Sequence, residues 1–388
     1  MTDNVIRFLV GEWYNLIQRG RLGRNAAKSV SYFSQDLIMS QWENLFNCHD
    51  EQIYIVMKIF YVYTALTTIG GVDRVITEKA NWLSEHGYEV AIVTDTQMGR
   101  PPEFPLAPRV CLINLAIYFS KEYGQNFLLR TIIHFKLMCI YRRKMTNMLM
   151  KERPDIAFIT KIKDGSKKLS EAHTTKHFIR NFHLLESQNL FYRYLTKFFR
   201  WHMDKQVGKL DPLVVLTQQH ADDWKGLAPV CMIPNALLFY PKQISSCENK
   251  QAIAVGRYTY QKGFDLLLQA WRIVFEKHPY WRFDIYGSGE RDEYKCLGKE
   301  LGVSEVVTCH PAVSDVYEKY GKSSIFVLSS RYEVIGLVLA ETKSTGVPVV
   351  SFACPCGPLD IITNGTDGIL IEKDDVYQLA KVIFFYRT

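Results

Sequence analysis

Short apolar segments that alternate with helical stretches run through the chain in two series, and this alternation constrains the fold most. Each segment is rich in β-branched and aromatic residues and ends at a turn, as do strands buried in a parallel sheet. The first series is KIFYVYT (58–64), EVAIVT (89–94), VCLINL (110–115), DIAFIT (155–160) and LVVLT (213–217). The second is AIAVG (252–256), WRFDIYG (281–287), VVTCH (306–310), SIFVLSS (324–330) and VPVVSF (347–352). The pattern predicts an α/β protein with two doubly wound parallel-sheet domains, which bind ligands at the carboxyl ends of their strands.

The segment 234–250 separates the two series, and its two prolines and weak periodicity make it the predicted linker. We assign residues 57–240 to a first domain and residues 241–388 to a second. Residues 1–56 then form an N-terminal extension of unknown role, either an added helical segment or a segment unrelated to the fold. With 388 residues, 47% of them hydrophobic, the chain is long enough to bury two cores.

The cellular setting is indicated by what the sequence lacks. No apolar run reaches the roughly 18 residues of a membrane span, and the N-terminus lacks the features of a signal peptide. Nine scattered cysteines are typical of reduced thiols in a cytoplasmic protein. Cys354 and Cys356 are too close in sequence for the usual zinc-binding pair, and no second Cys/His pair completes a zinc site. We therefore expect a cytoplasmic protein without a metal ion.

The net charge of +7 is concentrated in residues 51–240, which hold 25 Lys and Arg against 17 Asp and Glu. Two basic clusters contribute most to it: Arg142, Arg143, Lys144, Lys151 and Arg153, and then Lys161, Lys163, Lys167 and Lys168. A basic surface attracts anionic lipid, phosphorylated substrate or nucleic acid. For either cluster alone, a solvated helix face is the simpler interpretation.

The segment VGRYTYQKG (255–263) places Arg257 and Lys262 in the turn after a predicted strand. At the carboxyl end of a strand, both cations can reach a diphosphate, Arg through its two-pronged guanidinium and Lys as a point charge. Two solvated loop cations are an equally good interpretation of this pair taken alone.

The segment SSRYEVIGLVLAE (329–341) carries two glutamates. Glu333 follows a predicted strand, where a carboxylate can hold sugar hydroxyls. Gly336 and Leu337 open a helix, whose free amides suit a phosphate. Glu341 lies about one turn inside and can accept hydrogen bonds from two ribose hydroxyls. The alternative, a solvated helix residue, fits poorly with its apolar neighbours.

Weaker signals occur elsewhere. Gly70 and Gly71 follow the first strand, where paired glycines let a backbone approach a phosphate or sugar closely. His173 follows a predicted short strand, although a lone histidine is usually structural. The GSGE turn (287–290) lacks the third glycine of a dinucleotide fingerprint, and HPAVSD (310–315) is either a nucleobase contact or an ordinary loop. The chain has no Asp-x-Asp motif to hold a diphosphate through a divalent ion.

From residue 57 onward the chain resembles glycosyltransferase family 4, the retaining sugar transferases with the GT-B fold. The motifs that carry the resemblance, in this order, are IPNA (233–236), GRYTYQKGFDLLLQAW, IYGSGE, SSRYEVIGLVLAE and GPLDIITNGTDGILI. The resemblance implies two Rossmann-like domains that face each other across a cleft. Within the family the chain looks most like bacterial surface-polysaccharide enzymes.

The resemblance also implies which residues form the site, namely those at the positions that match the family's motifs. Arg257 and Lys262 would bind the donor diphosphate, Glu341 the ribose, and Glu333 would lie near the transferred sugar. Gly70 and Gly71 would contact the donor, and a histidine of the first domain would contact the sugar. For that histidine, His173 is the better match and His183 the second.

The resemblance therefore implies a retaining, metal-independent enzyme that moves a hexosyl unit from a nucleotide-diphosphate sugar, by family habit a UDP-sugar. The acceptor would be a glycan or a lipid-linked sugar at the inner face of the plasma membrane, and an anionic membrane surface is a further expected partner. No cofactor and no nucleic-acid partner are expected. One alternative is a nucleotide-sugar-binding but non-catalytic subunit, because the usual C-terminal helices of the family are not recognisable. The other, an NAD-dependent oxidoreductase, is disfavoured by the missing third glycine.

Overall fold

The computed structural model describes residues 18–47, 56–119, 126–159, 170–171, 213–237, 241, 244–313, 315–333, 336–355 and 357–385. The chain divides into two compact units. One runs from Met39 to Pro234, and the other joins the described residues up to Ile38 to those from Asn235 onward. We name them the β1–β7 unit and the β8–β13 unit after the strands that they contain. The second boundary falls at the start of the predicted linker.

In the β1–β7 unit, seven described strands form one parallel sheet in the order β3-β2-β1-β4-β5-β6-β7. They are β1 (Lys58–Tyr63), β2 (Glu89–Thr94), β3 (Cys111–Asn114), β4 (Ile156–Ile159), β5 (Ser170–Glu171), β6 (Leu213–Val215) and β7 (Val230–Met232). The strand order reverses between β1 and β4. That reversal marks the place where such sheets open a crevice for ligands.

Three described helices flank this sheet: α3 (Gly71–Glu85), α4 (Phe127–Glu152) and α5 (Gln218–Trp224). The side chain of Asn126 caps α4 by accepting a hydrogen bond from the amide of Leu129. The helix ends at Arg153, which adopts the left-handed conformation. Tyr141 of α4 packs with Phe60 and Val93 of the central strands, so one face of this long helix is anchored in the core.

In the β8–β13 unit, six described strands form a second parallel sheet in the order β10-β9-β8-β11-β12-β13. They are β8 (Gln251–Val255), β9 (Arg282–Gly287), β10 (Val307–Pro311), β11 (Ile325–Leu328), β12 (Val349–Phe352) and β13 (Gly368–Ile371). The strand order reverses between β8 and β11, at the centre of the sheet. The two units therefore repeat one topology.

The helices of this unit are α6 (Phe264–Lys277), α7 (Asp292–Glu300), α8 (Val316–Gly321), α9 (Leu337–Ser344), α10 (Pro358–Ile361) and α11 (Val376–Phe385), with a 3-10 turn at Tyr260–Lys262. One face of the sheet buries a continuous apolar core under α6, α7 and α11. In it the Trp271 indole stacks on the Phe283 ring at 4.4 Å.

The described part of the predicted N-terminal extension, residues 18–47, is helical and packs into both units. Helix α1 spans 18–29, a 3-10 turn covers Ser31–Phe33, and α2 spans Gln35–Asn47. Gly23 of α1 approaches the Gly346 carbonyl so closely that a Cβ would lie 2.0 Å from its oxygen. In the β1–β7 unit, Trp42 of α2 is buried and meets the Phe158 ring edge-on at 5.1 Å. Of the two interpretations left open, the added helical segment is correct for these residues.

The prediction of an α/β protein with two doubly wound parallel-sheet domains is confirmed. The basic helical pattern that the sequence shows over residues 122–151 corresponds to α4, which spans Phe127–Glu152. The two-residue β5 corresponds to the short strand predicted before His173, whereas the three-residue β7 lies outside the predicted strands.

Candidate functional site

The predicted donor residues of the second half gather at the carboxyl edge of the β8–β13 sheet. Arg257 and Lys262 lie in the loop after β8, and Glu333 lies in the loop after β11. Strands β8 and β11 are parallel neighbours, so the two loops emerge side by side where the strand order reverses. A crevice at such a reversal is the usual place for a ligand in an open α/β sheet.

Lys262 and Glu333 form an ion pair with little exposure to solvent. The Lys262 ammonium Nζ lies 2.6 Å from Oε1 of Glu333, and the Ser330 hydroxyl donates to the same oxygen at 2.5 Å. The two charged side chains are only 12% and 6% exposed. Charges this far from water persist when they are paired and hydrogen-bonded, so both groups are held in place.

Arg257 has a different environment. It lies at the start of the same loop, its side chain is exposed, and its guanidinium forms no ion pair with another described residue. An exposed guanidinium is available for bidentate contact with phosphate oxygens. The loop therefore presents one exposed and one paired cation.

Backbone and side-chain hydrogen bonds join the two loops. The Ser329 hydroxyl donates to the Lys262 carbonyl at 2.9 Å, and the Arg331 amide donates to the Gln261 carbonyl at 2.8 Å. Gly263 adopts the left-handed conformation at φ +62°, and a Cβ there would lie 2.1 Å from the Ser329 carbonyl oxygen. Only glycine allows this approach, and it brings Lys262 within reach of Glu333.

The Arg331 side chain also connects the two loops. Its guanidinium donates to both carboxylate oxygens of Asp265, at 2.8 and 2.6 Å, and to the Tyr260 carbonyl at 2.8 Å. It also lies over the Tyr260 ring, 3.9 Å from the centroid. Partial burial raises the pKa of Asp265, but the hydrogen bonds and charge of Arg331 lower it by more, so the net pKa lies below its ordinary value.

Helix α9 begins beside this edge and carries Glu341. Gly336 caps the helix in the left-handed conformation, and Leu337 is its first residue, as the sequence predicts. Glu341 is half-buried, and its Oε2 accepts a hydrogen bond from the Tyr320 hydroxyl at 3.2 Å. Burial, followed by the charge of Glu341, raises the pKa of Tyr320 well above its ordinary value. The phenol thus remains a donor and fixes one oxygen of the carboxylate.

The glycine loop belongs to the β1–β7 unit. Gly70 precedes α3 in an extended conformation, and Gly71 is the first residue of that helix. The loop is held by the buried carboxylate of Asp73, which accepts hydrogen bonds from the Tyr63 hydroxyl and from the amide and hydroxyl of Thr68. The loop is therefore rigidly attached to the end of β1.

Two further loops lie near the ends of β9 and β10. Gly287, in the GSGE turn, lets β9 approach β8 so closely that a Cβ would lie 1.7 Å from the Gly256 carbonyl oxygen. The HPAVSD segment (310–315) is only partly a loop, because His310 and Pro311 are the last two residues of β10. Nε2 of His310 lies 2.8 Å from a carboxylate oxygen of Asp284.

Several predicted residues lie outside the described part of the chain. They are His173, His183, the basic cluster at 161–168 and residues 334–335 between Glu333 and Gly336. Within the described part, no three His, Cys, Asp or Glu side chains lie close enough together to hold a metal ion.

The sequence did not single out the residues that position the charged groups. Ser330, Arg331 and Asp265 lie inside or next to recognised motifs, but only the fold shows what they contact. Tyr320 lies 21 positions from Glu341 and carries no motif signal. Asp73 lies two residues after the glycine pair, and only its burial and hydrogen bonds in the fold show its role.

The chain is similar to a known protein family and to individual known proteins. The family described as Glycosyl transferases group 1 matches residues 240–385, the segment that contains the Lys262, Glu333 and Glu341 positions. An uncharacterised glycosyltransferase of Haemophilus influenzae is 28% identical over 335 residues, covering 84% of this chain and 88% of that protein. The amylovoran biosynthesis glycosyltransferase AmsD of Erwinia amylovora is 26% identical over 326 residues, covering 81% and 86%.

Solved structures share the fold at lower identity. WaaG, a glycosyltransferase involved in lipopolysaccharide biosynthesis, superposes with a TM-score of 0.66 at 18% identity and covers 85% of this chain and 90% of its own. Anabaena HepE, solved with UDP and glucose, superposes with a TM-score of 0.59 at 15% identity and covers 84% and 89%. Two Rossmann-like units, the matching family segment and these relatives agree. The chain is a glycosyltransferase with the GT-B fold, and its residues 240–385 match the group 1 family.

Proposed function

We propose that the chain is a retaining, metal-independent glycosyltransferase that moves a hexosyl unit from a UDP-sugar to a glycan or lipid-linked acceptor in surface polysaccharide synthesis. The observation that carries the proposal is the Lys262–Glu333 ion pair, fixed at the strand reversal of the β8–β13 sheet. Glu341 on the following helix completes a set of charged groups suited to a nucleotide-diphosphate sugar. The names of AmsD and WaaG support the polysaccharide assignment, and the UDP in HepE supports the nucleotide.

Metal independence is proposed from the two cations of the loop after β8. Arg257 and Lys262 would neutralise the charge that develops on the departing diphosphate, the role that a divalent ion has in other transferases. The amides at the start of α9, after Gly336, add donors for the same phosphates. Lys262 is preorganised, since its part of the loop is fixed by the Ser329, Arg331 and Gly263 contacts.

Retention is proposed from the engagement of Glu333. Its Oε1 already accepts hydrogen bonds from Lys262 and Ser330, an arrangement that suits a carboxylate that orients sugar hydroxyls. In a front-face reaction, the bond from the anomeric carbon to the diphosphate oxygen breaks as the acceptor oxygen bonds to the same face. The departing diphosphate oxygen takes the proton of the acceptor hydroxyl. Lys262 would stabilise the negative charge on that oxygen.

The proposed location is the cytoplasm, at the inner face of the plasma membrane, where lipid-linked acceptors are presented. Two features support this location. The described cysteines are free thiols, and the excess positive charge of residues 51–240 suits an anionic membrane surface.

The proposal is tested by incubating the protein with a panel of UDP- and GDP-sugars in EDTA, with and without a lipid-linked acceptor extract. We expect nucleotide release from one UDP-sugar and an acceptor-dependent product with the anomeric configuration of the donor, read by NMR. An inverted product would overturn retention, and release only from a GDP-sugar would overturn the UDP assignment. UDP binding without release from any donor would instead support a non-catalytic nucleotide-sugar-binding subunit.

A further inference from the structure

Helix α4 presents apolar side chains to solvent along the face opposite its packed side. Leu129, Ile132, Phe135, Ile140 and Met150 form what we name the outer face of α4. Ile132, Phe135 and Met150 are the most exposed, at 65%, 71% and 72%. Single exposed apolar residues are common on protein surfaces, whereas several on one helix face indicate a contact surface.

The geometry of the helix explains why these residues share one side. Leu137, Tyr141, Met145 and Met148 pack on the core of the β1–β7 unit. With about 100° of rotation per residue, positions 129, 132, 136, 140, 143, 147 and 150 follow one another at intervals of three or four and lie on the opposite side. Phe135 lies at the edge of that side. Apolar residues therefore occupy both sides of α4, and only one side is covered by the core.

The charged residues of α4 are nearly all basic. The 26 residues of α4 contain six cations, Arg130, Lys136, Arg142, Arg143, Lys144 and Lys151, and a single carboxylate, Glu152, which gives a net charge of +5. Glu152 lies at the end of the helix and pairs with Lys58. Lys136 and Arg143 lie within the outer face itself, at the helical positions between its apolar residues. The outer face thus combines exposed apolar side chains with basic side chains along its length.

This combination fits an anionic lipid surface. A helix that lies in the membrane interface inserts apolar side chains while its Lys and Arg residues contact anionic head groups. A nucleic acid would use the cations but would leave Phe135 and Ile132 in water. None of the helices in the described ranges is long and apolar enough to cross a bilayer, so α4 would lie along the membrane surface. From Leu129 to Met150 it offers about 30 Å of contact.

We propose that the outer face of α4 is the surface by which this glycosyltransferase docks on anionic membrane. The inference rests on the proposed membrane location and assigns it to particular residues. A docked α4 would hold the β1–β7 unit at the membrane, where a lipid-linked acceptor is anchored.

The test measures cosedimentation of the full chain with vesicles of phosphatidylcholine alone or with about 30% phosphatidylglycerol. We expect binding to the anionic vesicles only, weakened in high salt. Lys136→Glu with Arg143→Glu should weaken binding at least about 25-fold, since each basic residue near such a surface contributes about fivefold. Ile132→Ser with Phe135→Ser should weaken it at least about tenfold through lost apolar insertion.

The matched control is Tyr377→Ser with Lys381→Glu on α11, which removes one exposed aromatic and one exposed cation from the other unit. It should bind as the unmodified chain does. All these side chains are exposed, and an unchanged shift of melting temperature with UDP would verify that each variant is folded.

The outcomes separate this surface from the membrane location itself. Anionic-vesicle binding that survives both α4 variants would overturn the docking surface and leave the membrane location standing. If the unmodified chain does not bind vesicles, the docking surface and the membrane location are both overturned, whereas the proposed transfer reaction is unaffected. A dimer in light scattering that the α4 variants dissociate, with no vesicle binding, would identify an interface between copies instead.

Discussion

At the residue scale, a neutral hydroxyl contacts each of the two candidate site carboxylates of the β8–β13 unit. Ser330 donates to Glu333, and Tyr320 donates to Glu341. Each hydroxyl holds the carboxylate oxygen that it contacts in a fixed position. In the roles proposed for Glu333 and Glu341, this order would be in place before a donor binds.

Glu341 gives the most direct test of a ribose contact. In Glu341→Gln the amide oxygen can still accept the Tyr320 hydrogen bond, so the fold should persist. The charge-assisted bonds to the ribose would be lost, and UDP affinity should fall by about tenfold or more in calorimetry. The control is Glu318→Gln, a change at the exposed Glu318–Lys322 pair. Equal UDP affinity in Glu341→Gln and the control would rule out the ribose role.

Asp265 predicts a pH dependence of stability. Its pKa in the folded chain lies below the ordinary value of about 3.9, so its ion pair with Arg331 stabilises the fold above that pH. The contribution is lost as pH falls through the folded pKa. The difference in urea midpoint between the unmodified chain and Asp265→Asn should be present at pH 7 and shrink below about pH 4.

The control for this prediction is Glu300→Gln, at an exposed carboxylate on α7. Its urea midpoint should follow that of the unmodified chain at both pH values. A difference for Asp265→Asn that is the same at pH 7 and pH 3 would show that the Asp265–Arg331 charge pair does not stabilise the fold.

At the element scale, the loops after β8 and β11 act as one structural element, because Gly263 lets them touch. In Gly263→Ala the new Cβ meets the Ser329 carbonyl, and the residue must also keep a positive φ. We expect a loss of stability of at least about 1 kcal/mol, together with lower turnover as Lys262 moves away from Glu333. Thermal unfolding and nucleotide release measure the two effects.

Gly302→Ala is the matched control for the Gly263 change. Gly302 has a similar φ of +67°, but a Cβ there would meet only an Arg272 nitrogen at 3.5 Å. Both variants therefore carry the cost of a side chain at positive φ, but only Gly263→Ala makes the two loops collide. If both variants keep full turnover, the contact between the loops does not position Lys262.

The order and type of the elements could be predicted from sequence, because buried strands and helices leave periodic patterns. The prediction placed Arg257 and Lys262 after one strand and Glu333 after another, and the structure agrees. Periodicity says nothing of which strands are neighbours, so it could not show that Lys262 meets Glu333. The Tyr320–Glu341 hydrogen bond likewise depends on how α8 packs against α9.

At the scale of the whole molecule, the N-terminal segment contributes to both units. Residues 18–38 group with the β8–β13 unit, and 39–47 belong to the β1–β7 unit. Residues 18–47 carry no motif that would indicate this, because their role lies in packing against segments distant along the chain. The segment is thus an integral part of the fold of each unit.

Trp42 tests that conclusion. It is buried against Phe158, so Trp42→Ala should lower the free energy of unfolding by about 3–5 kcal/mol in a urea titration. Leu37→Ala, at an exposed position on the same helix, should cost much less. Similar small losses for both variants would mean that α2 is not part of the core of the β1–β7 unit.

The central claim is that Lys262 stabilises the departing diphosphate without the help of a metal ion. It is tested most directly by the rate of UDP release from the active donor in excess EDTA, for the unmodified chain, Lys262→Ala and the surface control Lys295→Ala. The account predicts equal rates for the unmodified chain and the control, unaffected by EDTA, and a rate about 10²–10³ lower for Lys262→Ala. Loss of turnover in EDTA, or near-normal turnover in Lys262→Ala, would contradict it.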